Sequence, residues 1–205
     1  MNSQMNSQAL FQQAMTLHGQ GRLAEADALY RRLLADTPAN FQVQYRLSLS
    51  LFQQQRAAEA LALVSAALAF QPRQPEALML RGTLLASSGR REEALADFDQ
   101  VLAQKPEFPS ALFNRALALL ELGRRADAVS AFDRFLARTP DSVEAWLNRG
   151  AALQGLAGRT KRWQAMRAHS NAIPATGRRG SIAGPCTKTW AIFRKRWKVS
   201  IRRRL

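Results

Sequence analysis

The residue types that carry covalent or metal chemistry are scarce in this 205-residue chain. It has two histidines, His18 and His169, and a single cysteine, Cys186. The histidines share no local constellation, and Cys186 has no second thiol for a disulfide or a CxxC pair. No phosphate loop, nucleophile elbow or HExxH helix occurs. The carboxylates are scattered at positions that suit helix starts and solubility rather than paired acid/base work. No catalytic residue, metal-ligand set or cofactor is therefore expected. What the chain offers is recognition chemistry of two kinds. Asn114 and Asn148 stand 34 residues apart, and a carboxamide donates and accepts at once, which suits a grip on a peptide backbone. Lys161-Arg162-Trp163 and Phe193-Arg194-Lys195-Arg196-Trp197-Lys198 set cations for phosphate beside tryptophans for base stacking.

The charge behind that second kind is confined to one end. All 15 acidic residues and 16 of the 30 basic ones lie in residues 1–156, which are nearly neutral. Residues 157–205 hold the other 14 basic residues and no acid, so the net charge of +15 describes the last quarter of the chain. A hydrophobic content of 47% and this length suffice for a real core. The best apolar stretch, Ala58 to Phe70, is too short and interrupted to span a membrane. Met1 to Gln8 is polar and lacks the basic region of a secretory signal, so a reducing cytoplasm is the expected location. Met1-Asn2-Ser3-Gln4 recurs as Met5-Asn6-Ser7-Gln8, and initiation at either methionine fits.

The elements that must position the asparagines repeat. Pro38, Pro72, Pro106 and Pro140 are each 34 residues apart, as are Ala26, Ala60, Ala94 and Ala128. Each of those alanines follows an acid: Glu25, Glu59, Glu93 and Asp127. Gly-Arg recurs at residues 21, 89 and 123, with Gln55-Arg56 in its place in the second unit. The units run 7–40, 41–74, 75–108 and 109–142, after a flexible start over 1–6, and a fifth begins at 143. Each reads as two helices. The first carries apolar or small residues at helical spacing, as in Leu78, Gly82 and Leu85. A Gly-Arg turn follows, glycine being suited to the helix end. The second helix carries Ala94, Phe98 and Val101, or Ala128, Phe132 and Phe135, and proline closes the unit. One such hairpin cannot bury its own apolar face, so neighbouring units must stack to build a core.

This pattern of small residue, leucine, alanine, aromatic and proline resembles the tetratricopeptide repeat over residues 7–156, departing at Val64, where the aromatic is expected. The resemblance implies an all-α solenoid, a right-handed superhelix of helical hairpins whose first helices line a concave groove for proteins or peptides. The first helix of the incomplete fifth unit would be 143–156. The groove positions carried over include Phe11, Met15, Tyr45, Arg46, Leu49, Met79, Phe113, Asn114, Leu117 and Asn148. The lysine–asparagine carboxylate clamp of chaperone-binding members is absent, since Lys105 is the lone lysine in 1–156. Asn114 and Asn148 resemble instead the asparagine ladder of O-linked N-acetylglucosamine transferases. The expected function is a non-enzymatic scaffold that binds a peptide or protein segment. The alternative is the substrate-recognising repeats of such a transferase-like protein, and a third reading is nucleic-acid binding through the basic tail. The uncapped fifth repeat is an expected route to self-association.

The tail keeps the period without the chemistry. Glu25, Glu59, Glu93 and Asp127 place the next acids at 161 and 195, where Lys161-Arg162-Trp163 and Lys195-Arg196-Trp197 stand. Lys-Arg-Trp written AAG CGC TGG becomes Glu-Ala-Leu when read one base earlier after a G. The same shift permits proline at 174 and forces glycine at 191, where the period wants them. Residues from about 157 onward are accordingly expected to be an out-of-frame translation of further repeats. On that reading the basic tail and Cys186 carry no selected function, and 157–205 should be disordered.

Overall fold

The computed structural model describes residues 2–171, with side chains described for residues 6–158. Among the described residues there are nine α-helices and no strand: α1 (Asn2–Gly19), α2 (Leu23–Asp36), α3 (Phe41–Gln53), α4 (Ala57–Phe70), α5 (Pro75–Ser87), α6 (Arg91–Gln104), α7 (Pro109–Glu121), α8 (Arg125–Leu136) and α9 (Val143–Asn171). Within each unit the first helix packs on the second, α1 on α2 through α7 on α8. The second helix of one unit then packs on the first of the next, as α2 on α3, α4 on α5 and α6 on α7. This is the stacked-hairpin solenoid that the 34-residue period requires.

The hairpin turn is set by hydrogen bonds that repeat with the sequence. Arg22 N–H donates to Leu17 O, Arg56 to Leu51, Arg90 to Leu85 and Arg124 to Leu119, each at 2.9 Å. These bonds close the last turn of each first helix around a left-handed residue. Gly21, Gly89 and Gly123 take that place at φ 78°, 82° and 74°. In the second unit Gln55 does so at φ 63°, a conformation in which a Cβ is unfavourable. The arginine after each turn then pairs with the acid three residues on: Arg22–Glu25, Arg56–Glu59, Arg90–Glu93 and Arg124–Asp127. These pairs are about half exposed and contribute little to stability.

Inside each hairpin a small residue on the first helix faces a large one on the second. Ala14, Ser48, Gly82 and Ala116 sit at the crossing, and Tyr30, Val64, Phe98 and Phe132 fill the space, all buried. The fit is tightest in the third unit, where a Cβ on Gly82 would lie 2.6 Å from Phe98 Cε1. Burying Tyr30, Phe98 and Phe132 completely contributes roughly 2–3 kcal/mol each by apolar area. Pro75 and Pro109 open α5 and α7 at positions whose N–H has no helical acceptor in any case.

The chain divides into two compact units, Met1–Arg159 and Thr160–Leu205. The expected end of the fifth first helix at 156, with a disordered tail from 157, is corrected in part, because α9 continues to Asn171. Ala157, Lys161, Arg162, Gln164, Ala165, Met166 and Arg167 are strong helix formers, and no proline comes before Pro174. Residues 172–205 lie outside the described residues, and so do Cys186, the disorder expected there and most of the out-of-frame reading. At the start of α9, Val143, Trp146 and Leu147 remain exposed.

Candidate peptide-binding face

The ten residues assigned to the groove come from five consecutive first helices. Phe11 and Met15 lie on α1, Tyr45, Arg46 and Leu49 on α3, and Met79 on α5. Phe113, Asn114 and Leu117 lie on α7, and Asn148 on α9. All ten are half-buried, neither sealed in the core nor fully exposed. Leu80, at the position equivalent to Arg46, Asn114 and Asn148, is buried and so breaks that row.

The aromatic members are held by rings beneath them. Phe11 meets Tyr30 with centroids 6.2 Å apart, Tyr45 stacks on Phe41 at 6.1 Å, and Phe113 meets Phe132 and Phe135 at 6.1 and 5.2 Å. Such contacts fix ring orientation and leave one edge facing outward. The two asparagines are not equivalent. Asn148 Nδ2 donates to Glu144 O at 3.0 Å within its own helix, which occupies one of its donors. For Asn114 no such bond is seen among the described residues.

Polar groups that sequence reasoning missed divide sharply along the face. Arg115 pairs with Asp99 and Arg149 with Asp133, both at 2.5 Å, so one unit's first helix is tied to the preceding second helix. Arg81 donates to both carboxylate oxygens of buried Asp97, at 2.8 and 2.6 Å. That bidentate contact holds the Arg81 guanidinium above its ordinary pKa, chiefly through the hydrogen bond to Asp97. Glu76 is held below the usual carboxylate range, mainly by the hydrogen bond it accepts from Lys105 Nζ at 2.8 Å. In the first two units buried Asp27 accepts from Ser50 Oγ at 2.6 Å and Gln54 Nε2 at 2.8 Å. The signal for the arginine ladder was present in the sequence: Arg81, Arg115 and Arg149 share the 34-residue spacing.

Arg46 does not join them. Its Nε is buried without a hydrogen-bond partner, as are Tyr30 Oη and His18 Nδ1. Gln44 Oε1 is also buried and unpartnered, although its Nε2 donates to Pro38 O at 2.7 Å. Tyr30 is wholly buried, its ring 6.3 Å from that of His18. Burial pushes the phenols of Tyr30 and Tyr45 up, and the Arg46 guanidinium opposes that shift on both. Arg46 therefore lies near both hydroxyls. Among the described residues no group of histidine, cysteine and carboxylate side chains is placed to hold a metal ion. No described helix is long and apolar enough to cross a membrane.

Comparison with known proteins gives one consistent family. Three sequence models described as tetratricopeptide repeat match residues 11–75, 47–113 and 85–154, together spanning most of the chain. No curated protein matches the sequence. Among solved structures, a tetratricopeptide repeat protein from Parabacteroides merdae ATCC 43184 superposes with a TM-score of 0.68 at 24% identity. The match covers 75% of this chain and 61% of that one, so the chain spans less than two thirds of that protein. MamA superposes with a TM-score of 0.71 at 15% identity, over 78% of this chain and 88% of its own. YrrB, described as having an unusual peptide-binding site, superposes with a TM-score of 0.69 at 19% identity, over 73% of this chain and 77% of its own. At these identities the likeness concerns the fold.

Proposed function

The chain belongs to the tetratricopeptide repeat family, and from that premise we propose that its first-helix face docks an extended peptide of a partner protein, making it a non-enzymatic scaffold. The observation that carries this reading is the state of the ten face residues. Each is half-buried on a first helix, so each has surface left to bury against a ligand. Their mixture of aromatic, aliphatic and amide groups suits a peptide, whose backbone needs donors and acceptors and whose side chains need apolar contact. The solved structure of YrrB, a protein of the same fold, is described as having a peptide-binding site.

The test is selection of peptides by the full chain from a random displayed library, followed by binding assays on variants. Leu49→Glu and Leu117→Glu place charges on the face and are expected to abolish binding of the selected peptides. Arg32→Glu, on an exposed position of α2, is expected to leave binding intact. Loss of binding in all three, or in Arg32→Glu alone, contradicts the reading.

A further inference from the structure

Arg46, Tyr30 and His18 form a donor set that lacks an acceptor. The three unpartnered atoms come from α3, α2 and α1, and each is buried: Arg46 Nε, Tyr30 Oη and His18 Nδ1. A guanidinium donates only, a phenol donates readily, and an imidazole nitrogen donates in the appropriate tautomer or when protonated. A buried donor left unmade costs free energy, so an orphaned group calls for a reason, and three together call for a common one. The nearby carboxylates are already committed. Asp27 accepts from Ser50 and Gln54, and Glu76 accepts from Lys105. No ion pair among the described residues includes Arg46, whereas Arg81, Arg115 and Arg149 each have an aspartate. Arg46 is also the lone cation among the ten face residues.

We infer that the peptide docked on this face carries an aspartate or glutamate whose side-chain carboxylate is received by Arg46, Tyr30 and His18. This rests on the peptide-docking reading above and names the ligand chemistry it left open. A carboxylate is planar, accepts several hydrogen bonds and carries the charge that Arg46 lacks opposite it. Face residues extend on both sides of the set: Phe11 and Met15 on α1, and Leu49 and Met79 on α3 and α5. The peptide backbone therefore runs on past the pocket, which places an internal side chain there rather than a chain end.

The experiment takes peptides selected by the full chain from a library displayed with linkers at both ends, synthesises them with both termini capped, and exchanges each acidic residue for its amide. On the wild type, one Glu→Gln or Asp→Asn exchange at a fixed register is expected to weaken binding about tenfold or more. On Arg46→Gln the same exchange is expected to change binding less than about twofold. Tyr30→Phe, which deletes only the hydroxyl, is expected to weaken the acidic peptide by about threefold to tenfold and the amide peptide little. Selected peptides without a fixed acidic position, an exchange penalty equal on wild type and Arg46→Gln, or binding that requires a free C-terminus overturns the inference while leaving peptide docking standing. A library that yields no binder overturns the docking reading, and the inference with it.

Discussion

The second and third units share a length, a phase and a fold, yet they spend the same residue types differently. In the third unit Arg81 lies at the seventh position of its first helix and clasps Asp97 with two hydrogen bonds. In the second unit the arginine stands one position earlier, at Arg46. One position on an α-helix is a turn of about 100°, and Arg46 has no carboxylate to meet. The third unit packs Gly82 under Phe98, the second Ser48 under Val64. The third turns on Gly89, the second on Gln55. The difference teaches how to separate scaffold from site. Where polar groups satisfy one another the repeat is holding itself together; where they are buried and unsatisfied, the second unit has kept them for something else.

The largest effect on stability is expected from breaking the paired arginine. Arg81→Ala leaves the Asp97 carboxylate buried without its partner, and a loss of about 3–5 kcal/mol should appear in denaturant unfolding. Arg46→Gln removes no partner and should stay within about 0.5 kcal/mol of wild type; a loss matching that of Arg81→Ala would erase the contrast. Next comes the packing difference. Gly82→Ala drives a Cβ to within 2.6 Å of Phe98 Cε1 and should cost about 1–3 kcal/mol by thermal unfolding. A neutral result would mean that the Phe98 ring shifts freely. Smaller still is the turn. Gln55→Gly relieves a left-handed glutamine and should raise stability by about 1 kcal/mol, net of the flexibility glycine adds to the unfolded chain. Gly89→Ala in the third unit should lower stability by a similar amount.

The smallest effect is electrostatic and depends on pH. Glu76 and Glu93 are held below the ordinary carboxylate range, mainly by side-chain hydrogen bonds from Lys105 and Arg90 respectively. A depressed folded-state value contributes stability that is complete above the unfolded carboxylate pKa and is lost as pH falls through the folded value. A shallow decline in melting temperature is therefore expected below about pH 4.5, the ordinary glutamate value, and little change from there to neutrality. The exposed Arg90–Glu93 pair should contribute almost nothing to that decline, and Glu93→Gln tests this by leaving the curve nearly unchanged.

The period made the hairpins, their turns and the small-against-large core pairs legible, because each was written four times at the same phase. The four arginine-to-Leu17, Leu51, Leu85 and Leu119 turn bonds follow directly from the recurring Gly-Arg and Gln55-Arg56 steps. The polar wiring was harder to see. Arg115 with Asp99 and Arg149 with Asp133 repeat at 34 residues and were detectable as a pair of columns. Arg46 differs from that column by one position, which means nothing until the helix is built. Tyr30 reads in sequence only as the expected aromatic, and its unpartnered hydroxyl emerges only when its neighbours are in place. The length of α9 was misjudged for another reason. The charge balance changes near residue 156, but helix propensity does not, and the backbone follows propensity.

The central claim, that the orphaned groups of the first two units serve a ligand and not the fold, meets its most direct test in one variant. Thermal unfolding of the full chain carrying Tyr30→Phe should be measured beside wild type and Arg81→Ala. Deleting a buried hydroxyl that has no partner should leave the melting temperature unchanged or raise it, while Arg81→Ala melts well below wild type. A fall for Tyr30→Phe comparable to that of Arg81→Ala would show that the hydroxyl supports the fold, and would contradict the claim.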